Sequence, residues 1–204
     1  MASIQCERKE EVAAQLSCEQ KATLDELIKC AEKTLVSEDI ANKSRAIVAE
    51  KECLNKADAA AARVSAVAGV LTNQTSSVSL AVFGTKQWAG YPVTNFPDPL
   101  ESVGPFAQAA LFGSVKGAVV YGGKNRAGVE CGWLLAWSDG TGRKIYAECG
   151  PRSKFNNIDW NRIEKNLDNS GIIASANDKE TGTAVYATIL GASVGSAVAA
   201  GYTG

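Results

Sequence analysis

Residues 116–149, KGAVVYGGKNRAGVECGWLLAWSDGTGRKIYAEC, decide the fold class. Gly117–Tyr121 and Val129–Trp137 are short runs of β-branched and aromatic residues, the composition of strands. The loop Gly122-Gly123-Lys124-Asn125-Arg126-Ala127-Gly128 separates them. Asp139-Gly140-Thr141-Gly142 then reads as a hairpin turn into a third strand, Lys144–Cys149. Three consecutive strands joined by turns specify an antiparallel sheet, and neighbouring segments extend the pattern. Val78–Phe83, Ile172–Ala176 and Thr183–Leu190 also read as strands. Trp88 to Pro105, with prolines at 92, 97, 99 and 105, reads as a long loop. Asn156 or Asn157 is placed to cap one interrupting helix carrying Ile158, Ile163 and Leu167, with Gly171 at its C-terminal cap. The body is therefore expected to be an antiparallel β-sandwich.

Toward the N-terminus the composition changes. The first glycine is Gly69, the first aromatic Phe83 and the first proline Pro92. A segment without backbone breakers and rich in Ala, Glu, Lys and Leu reads as helix. Ser17-Cys18-Glu19-Gln20 has the form of a capping box, followed by an apolar stripe at Leu24, Leu27, Ala31 and Leu35 with Ile28 beside it. Ser37, with Glu38 and Asp39 behind it, marks a second helix start. That helix is expected to carry Ile40, Ile47, Leu54, Ala61 and Ala68, with polar Ser44, Lys51 and Asp58 arguing against a strong coiled coil. The chain is thus read as α+β, a helical arm or hairpin over residues 1–72 and a β-sandwich body over 73–204, with a polar hinge at 73–77.

Charge bounds the partners. Ten basic against twelve acidic residues precede position 73, and eleven against ten follow, so neither part has the basic excess of an electrostatic nucleic-acid binder. Nucleic acid is not expected as a partner. The N-terminal Met1–Glu11 lacks the apolar core of a secretory signal, so a cytoplasmic protein with reduced thiols is expected. The uncharged stretch Ala184 to Gly204 is long enough to cross a bilayer, but its Ala, Gly, Ser and Thr content fits a small-residue final strand with a loose tail better.

Chemistry is excluded more clearly than it is found. With no histidine in the chain, Ser-His and Cys-His pairs, His-ligated zinc and imidazole acid–base catalysis are all absent. Gly191-Ala192-Ser193-Val194-Gly195 matches a nucleophile elbow that has no base to serve it. No phosphate loop or dinucleotide fingerprint occurs. The expectation is a non-enzymatic protein with no cofactor, catalytic residue or metal site. What remains is aromatic: Trp88, Tyr91, Tyr121, Trp133, Trp137, Tyr146 and Trp160. Trp133 and Trp137, four apart, point to one face of a strand. Either these rings pack a core, or they stack on a sugar or cradle a cationic headgroup. Trp88 and Tyr91, placed in a loop, have the weaker claim to burial. Trp88, Tyr91, Tyr121, Trp133, Trp137 and Tyr146 are the candidate ligand-binding residues.

Cys131 and Cys149 lie on adjacent predicted strands. A three-residue connection at Asp139–Thr141 sets Cys131 directly opposite Cys149, within disulfide reach, whereas a four-residue loop puts the thiols on opposite faces.

The run Lys116–Asn125 and then Cys131–Ser138 resembles the plant 23-kDa jasmonate-induced protein family, as do Lys144–Glu148, the helix Trp160 to Gly171 and Trp88-Ala89-Gly90-Tyr91. The resemblance covers approximately residues 73–190. It implies a stress- or wound-inducible plant protein with no established catalytic activity, similar to lipid-binding proteins of actinoporin-like fold such as the sphingolipid binder nakanori. A membrane lipid of sphingolipid type, or a glycan, is then the implied ligand, met peripherally at a membrane. The long charged arm departs from a pore-former, whose inserting helix has a wider apolar face. The competing expectation is a self-assembling or storage-type protein, a homo-oligomer through its N-terminal helices.

Overall fold

The computed structural model describes residues 16–52, 64–77, 79–111 and 113–204. Met1–Glu11, Leu54, Asp58, Ala61 and Val78, invoked above, lie outside the described residues.

The described chain forms α1 (Cys18–Leu35) and α2 (Glu38–Lys51), then strands β1 (Val64–Gln74), β2 (Ala81–Ala89), β3 (Tyr91–Thr94), β4 (Val103–Leu111), β5 (Lys116–Lys124), β6 (Glu130–Ser138) and β7 (Lys144–Pro151). A 3-10 turn, Arg152–Phe155, leads to α3 (Trp160–Asp168), followed by β8 (Ile173–Asp178), β9 (Thr183–Ala192) and β10 (Gly195–Thr203). One sheet has the order β3-β4-β1-β10-β9-β8 and the other β2-β5-β6-β7. The expected α+β sandwich with two N-terminal helices is what forms.

Alternation explains the layers. Along β10, Val198, Ala200 and Tyr202 face the core between the sheets, while Ala197 and Ala199 face outward. The outward alanines are small enough for α1 to lie close, and Leu24, Leu27, Ile28, Ala31 and Leu35 pack on them together with Ala66, Ala68 and Val70 of β1 and Tyr186 of β9. The capping box read at Ser17 and Gln20 is present, and the Ser37 hydroxyl caps α2. On the opposite outer face, α3 sets Ile163 and Leu167 against Ala118, Val120, Leu134 and Ala136. The molecule is thus helix, sheet, sheet, helix.

Several expectations are corrected. Residues 64–72, read as the end of a helix, are strand β1, lying between β4 and β10. It is buried on both faces, so no polar alternation marks it as a strand. The division at 72/73 therefore falls inside β1. The body is not wholly antiparallel: β1 and β10 pair in parallel, every other described ladder being antiparallel. Gly195 begins that parallel partner at φ 104°, and a β-carbon there would stand 1.9 Å from the Ala66 carbonyl oxygen. The elbow-like Gly191–Gly195 is the β9–β10 hairpin, not a strand-to-helix turn. The C-terminal tail is no loose end, since Thr203 is paired and the Gly204 carbonyl accepts from the Ser76 amide. Asp159, rather than Asn156 or Asn157, caps α3, and the helix closes on Asn169 while Gly171 bridges to Ile145. Residues 88–105 hold the end of β2, all of β3 and the start of β4 instead of one long loop.

Candidate functional site

Edge strand β2 supplies the first ring. Its pairing with β5 skips Phe83 and Trp88, which are therefore both bulge residues. A bulge re-aims the side chain it contains, and both rings turn to the outer face under α3 although they are an odd number of residues apart. Gln87, between the bulges, points inward to Gln108. Trp160 opens α3, positioned because the Asp159 carboxylate accepts from the Arg162 amide. Trp88 and Trp160 meet edge-to-face, centroids 6.1 Å apart at 82°, and both remain partly exposed.

A charged cluster adjoins the rings. Ala89 of β2 pairs with Lys116 of β5, which brings the ammonium beside Trp88, 5.8 Å from the ring centre. The same Nζ donates to Glu164 Oε1 at 2.8 Å and to Asp168 Oδ1 at 2.7 Å, one helical turn apart on α3. Burial works to lower the Lys116 pKa, but the two carboxylates outweigh it and the group is held above its ordinary value. At the other end of the strip Arg152 lies over Phe83, 4.5 Å from its centre, and pairs with Glu130. Ile158 fills the space between.

Behind the strip, Glu148 of β7 is buried and accepts from both terminal nitrogens of Arg162 and from the Tyr146 hydroxyl, with Lys154 Nζ 3.2 Å away. Burial alone would raise its pKa, yet these donors and cations hold it below the ordinary carboxylate value. Tyr146 is pushed up by burial and then by Glu148. This network fastens α3 to the sheet.

The six candidate aromatics separate into distinct environments. Tyr121, Trp133 and Trp137 have no exposed surface, and as ligand contacts they are corrected to core residues. Each polar atom finds a partner inside: Tyr121 Oη donates to the Pro97 carbonyl, Trp133 Nε1 to the Thr203 carbonyl and Trp137 Nε1 to Gln108 Oε1. Tyr146 is half-buried beneath α3 with its hydroxyl engaged. Tyr91 belongs to the other sheet, its hydroxyl donating to Glu52 beyond α2. The turn at Gly90, φ 82°, switches the chain between sheets, so Trp88 and Tyr91 are not one cluster. Trp160, Lys116, Glu164 and Asp168 complete the strip. Nothing in their spacing announces this, because the sheet pairing and α3 alone bring them together.

The thiols also depart from the expected register. Ser138 pairs with Lys144 across a five-residue connection, so Cys149 faces Trp133 and Cys131 faces Pro151. The two cysteines share a face diagonally, roughly 7–8 Å apart for such neighbours and beyond bridging range. Both are free and buried. Among the described residues no group of three or more Cys, Asp or Glu side chains could hold a metal ion, and no helix is long and apolar enough to cross a membrane.

No family model matches the chain. It is 36% identical over 154 residues to the jasmonate-induced protein homolog of Atriplex canescens, covering 67% of this chain and 80% of that relative. Among solved structures, the lipid binding protein nakanori superposes with a TM-score of 0.55 at 12% identity, over 86% of this chain and 85% of its own, and so shares the fold. The Xerocomus chrysenteron lectin XCL superposes with a TM-score of 0.46 at 8% identity, over 68% of this chain and 99% of its own.

Proposed function

The chain belongs to the jasmonate-induced protein family, and we propose that its sandwich binds a membrane-lipid headgroup or a glycan along the Trp88–Trp160 strip. One observation carries the reading: two partly exposed indoles stand edge-to-face beside an ammonium and two carboxylates. Ring faces take the apolar side of a sugar or a headgroup, and the charged groups fix its polar atoms. The fold shared with nakanori, described as a lipid binding protein, supports the reading by analogy. The role is non-catalytic, in a chain without histidine. It is that of a jasmonate-inducible defence protein, cytoplasmic and peripheral at membranes. Self-assembly through the helical arm is the less favoured reading, because α1 packs its apolar stripe on its own sheet.

Co-sedimentation with sphingolipid- and glycolipid-bearing vesicles, beside a glycan array, tests the proposal. The parent protein should bind at least one surface, and Trp88→Ala should weaken that binding by more than about 1 kcal/mol. A parent that binds none of them overturns it.

A further inference from the structure

This inference rests on the ligand reading of the Trp88–Trp160 strip and names the chemistry of what the strip takes. A cage of aromatic rings and carboxylates suits a quaternary ammonium, but here the cation's place is filled. Lys116 Nζ stands 5.8 Å from the centre of Trp88, 2.8 Å from Glu164 Oε1 and 2.7 Å from Asp168 Oδ1. Its side chain is 15% exposed, so most of it is covered by its neighbours and it is held in place beside the two carboxylates. A choline-type headgroup would have to evict it, breaking two charge-assisted hydrogen bonds and leaving a lysine without its counter-ions.

A neutral polyhydroxylated ligand needs no eviction. Each carboxylate gives Lys116 one oxygen, which leaves Glu164 Oε2 and Asp168 Oδ2 without a protein donor among the described residues. Glu164 and Asp168 are 35% and 53% exposed, open to accept from ligand hydroxyls. The exposed parts of Trp88 and Trp160 offer an apolar platform beside those acceptors for a sugar's C–H face. We infer that the strip takes a neutral glycan, free or carried on a lipid, and that Lys116 keeps choline headgroups out.

Three vesicle surfaces test this: phosphatidylcholine alone, phosphatidylcholine with sphingomyelin, and phosphatidylcholine with glucosylceramide. A neutral-glycan array serves as the lipid-free arm. The parent protein should bind glucosylceramide vesicles, or array glycans, about tenfold or more above its retention on either choline surface, the scale of one charge-assisted hydrogen bond. Lys116→Met, checked for folding by thermal melting, should gain about tenfold on the choline surfaces because the rings and the two carboxylates then lack a resident cation. A parent that prefers choline surfaces, or a folded Lys116→Met with unchanged preference, overturns the inference. In either case the site reading stands if Trp88→Ala still weakens binding about fivefold or more. A parent that binds no surface and no glycan overturns the site reading itself. Should Lys116→Met fail to fold, the parent's ranking of the surfaces decides alone.

Discussion

Trp88 and Trp133 are chemically the same residue with opposite roles. Trp133 is wholly enclosed between the sheets with its N–H donated to the Thr203 carbonyl, whereas Trp88 sits at a bulge on an edge strand with part of its ring in solvent. Replacing Trp133 by Ala should therefore cost about 3–5 kcal/mol of stability, read as a shift of the urea midpoint. Trp88→Ala should cost distinctly less while removing ligand binding. Equal destabilisation by the two would mean that Trp88 is a core residue. The thiols sort in the same way. Cys18 and Cys30 are exposed, while Cys131 and Cys149 are buried with their pKa values raised, first of all by that burial. Alkylation followed by peptide mass mapping should label Cys18 and Cys30 in the native protein, and Cys131 and Cys149 only on unfolding. Rapid native labelling of either buried thiol would contradict the described core.

Among the elements, α3 depends most on a single charge. Glu148 is 6% exposed and receives Arg162, Tyr146 and Lys154, so removing its carboxylate frees the groups that hold the helix down. Arg162 and Lys154 are themselves 47% and 43% exposed, which discounts the loss to about 1–3 kcal/mol for Glu148→Ala. The sign with pH follows from a folded pKa below the ordinary value of 4.5. The stabilisation is complete above that value and disappears as pH falls through the lower folded pKa. Stability of the parent should drop on acidification below about pH 4.5, and Glu148→Gln should flatten that part of the profile. An unchanged acid limb in Glu148→Gln would place the acid sensitivity elsewhere. The strip depends on the same fastening, since α3 carries Trp160, Glu164 and Asp168.

Across the whole molecule, the helices and the sandwich share their construction. Asn73, which reads as a hinge residue, is a clamp: its side-chain amide donates to the carbonyls of Ser77, Leu100 and Glu101, and its backbone N–H to that of Ser102. Native proteolysis should therefore spare Asn73. A fragment beginning at residue 73 lacks nearly all of β1, leaving β4 and β10 without the strand between them, and should be unfolded by near-UV circular dichroism. A folded fragment from 73 onward would overturn this. A fragment beginning at Val64 keeps β1 but uncovers Ala66, Ala68, Val70, Ala197 and Ala199 where α1 lay. It should be less stable and prone to associate through that face.

Local pattern by itself determined β5, β6 and β7, the caps at Ser17 and Ser37, and the helical stripe of α1. Each is specified by near neighbours: a run of β-branched and aromatic residues, a turn signal, apolar residues at helical spacing, or a hydroxyl three residues from its amide. The absence of histidine likewise narrows the chemistry without any structure. Where a residue's state is set by distant partners, only the tertiary structure decided. Val64–Gln74 continues a breaker-free, alanine-rich stretch and so reads as its extension, but its three valines and threonine form a strand because β4 and β10 supply its hydrogen bonds, α1 covers one face and the core the other. The five-residue β6–β7 connection, not the turn motif within it, set the register that parts Cys131 from Cys149. The two bulges that turn Phe83 and Trp88 outward have no mark in the sequence. Trp88, Lys116 and Glu164 become neighbours solely because strand pairing and a docked helix bring them together.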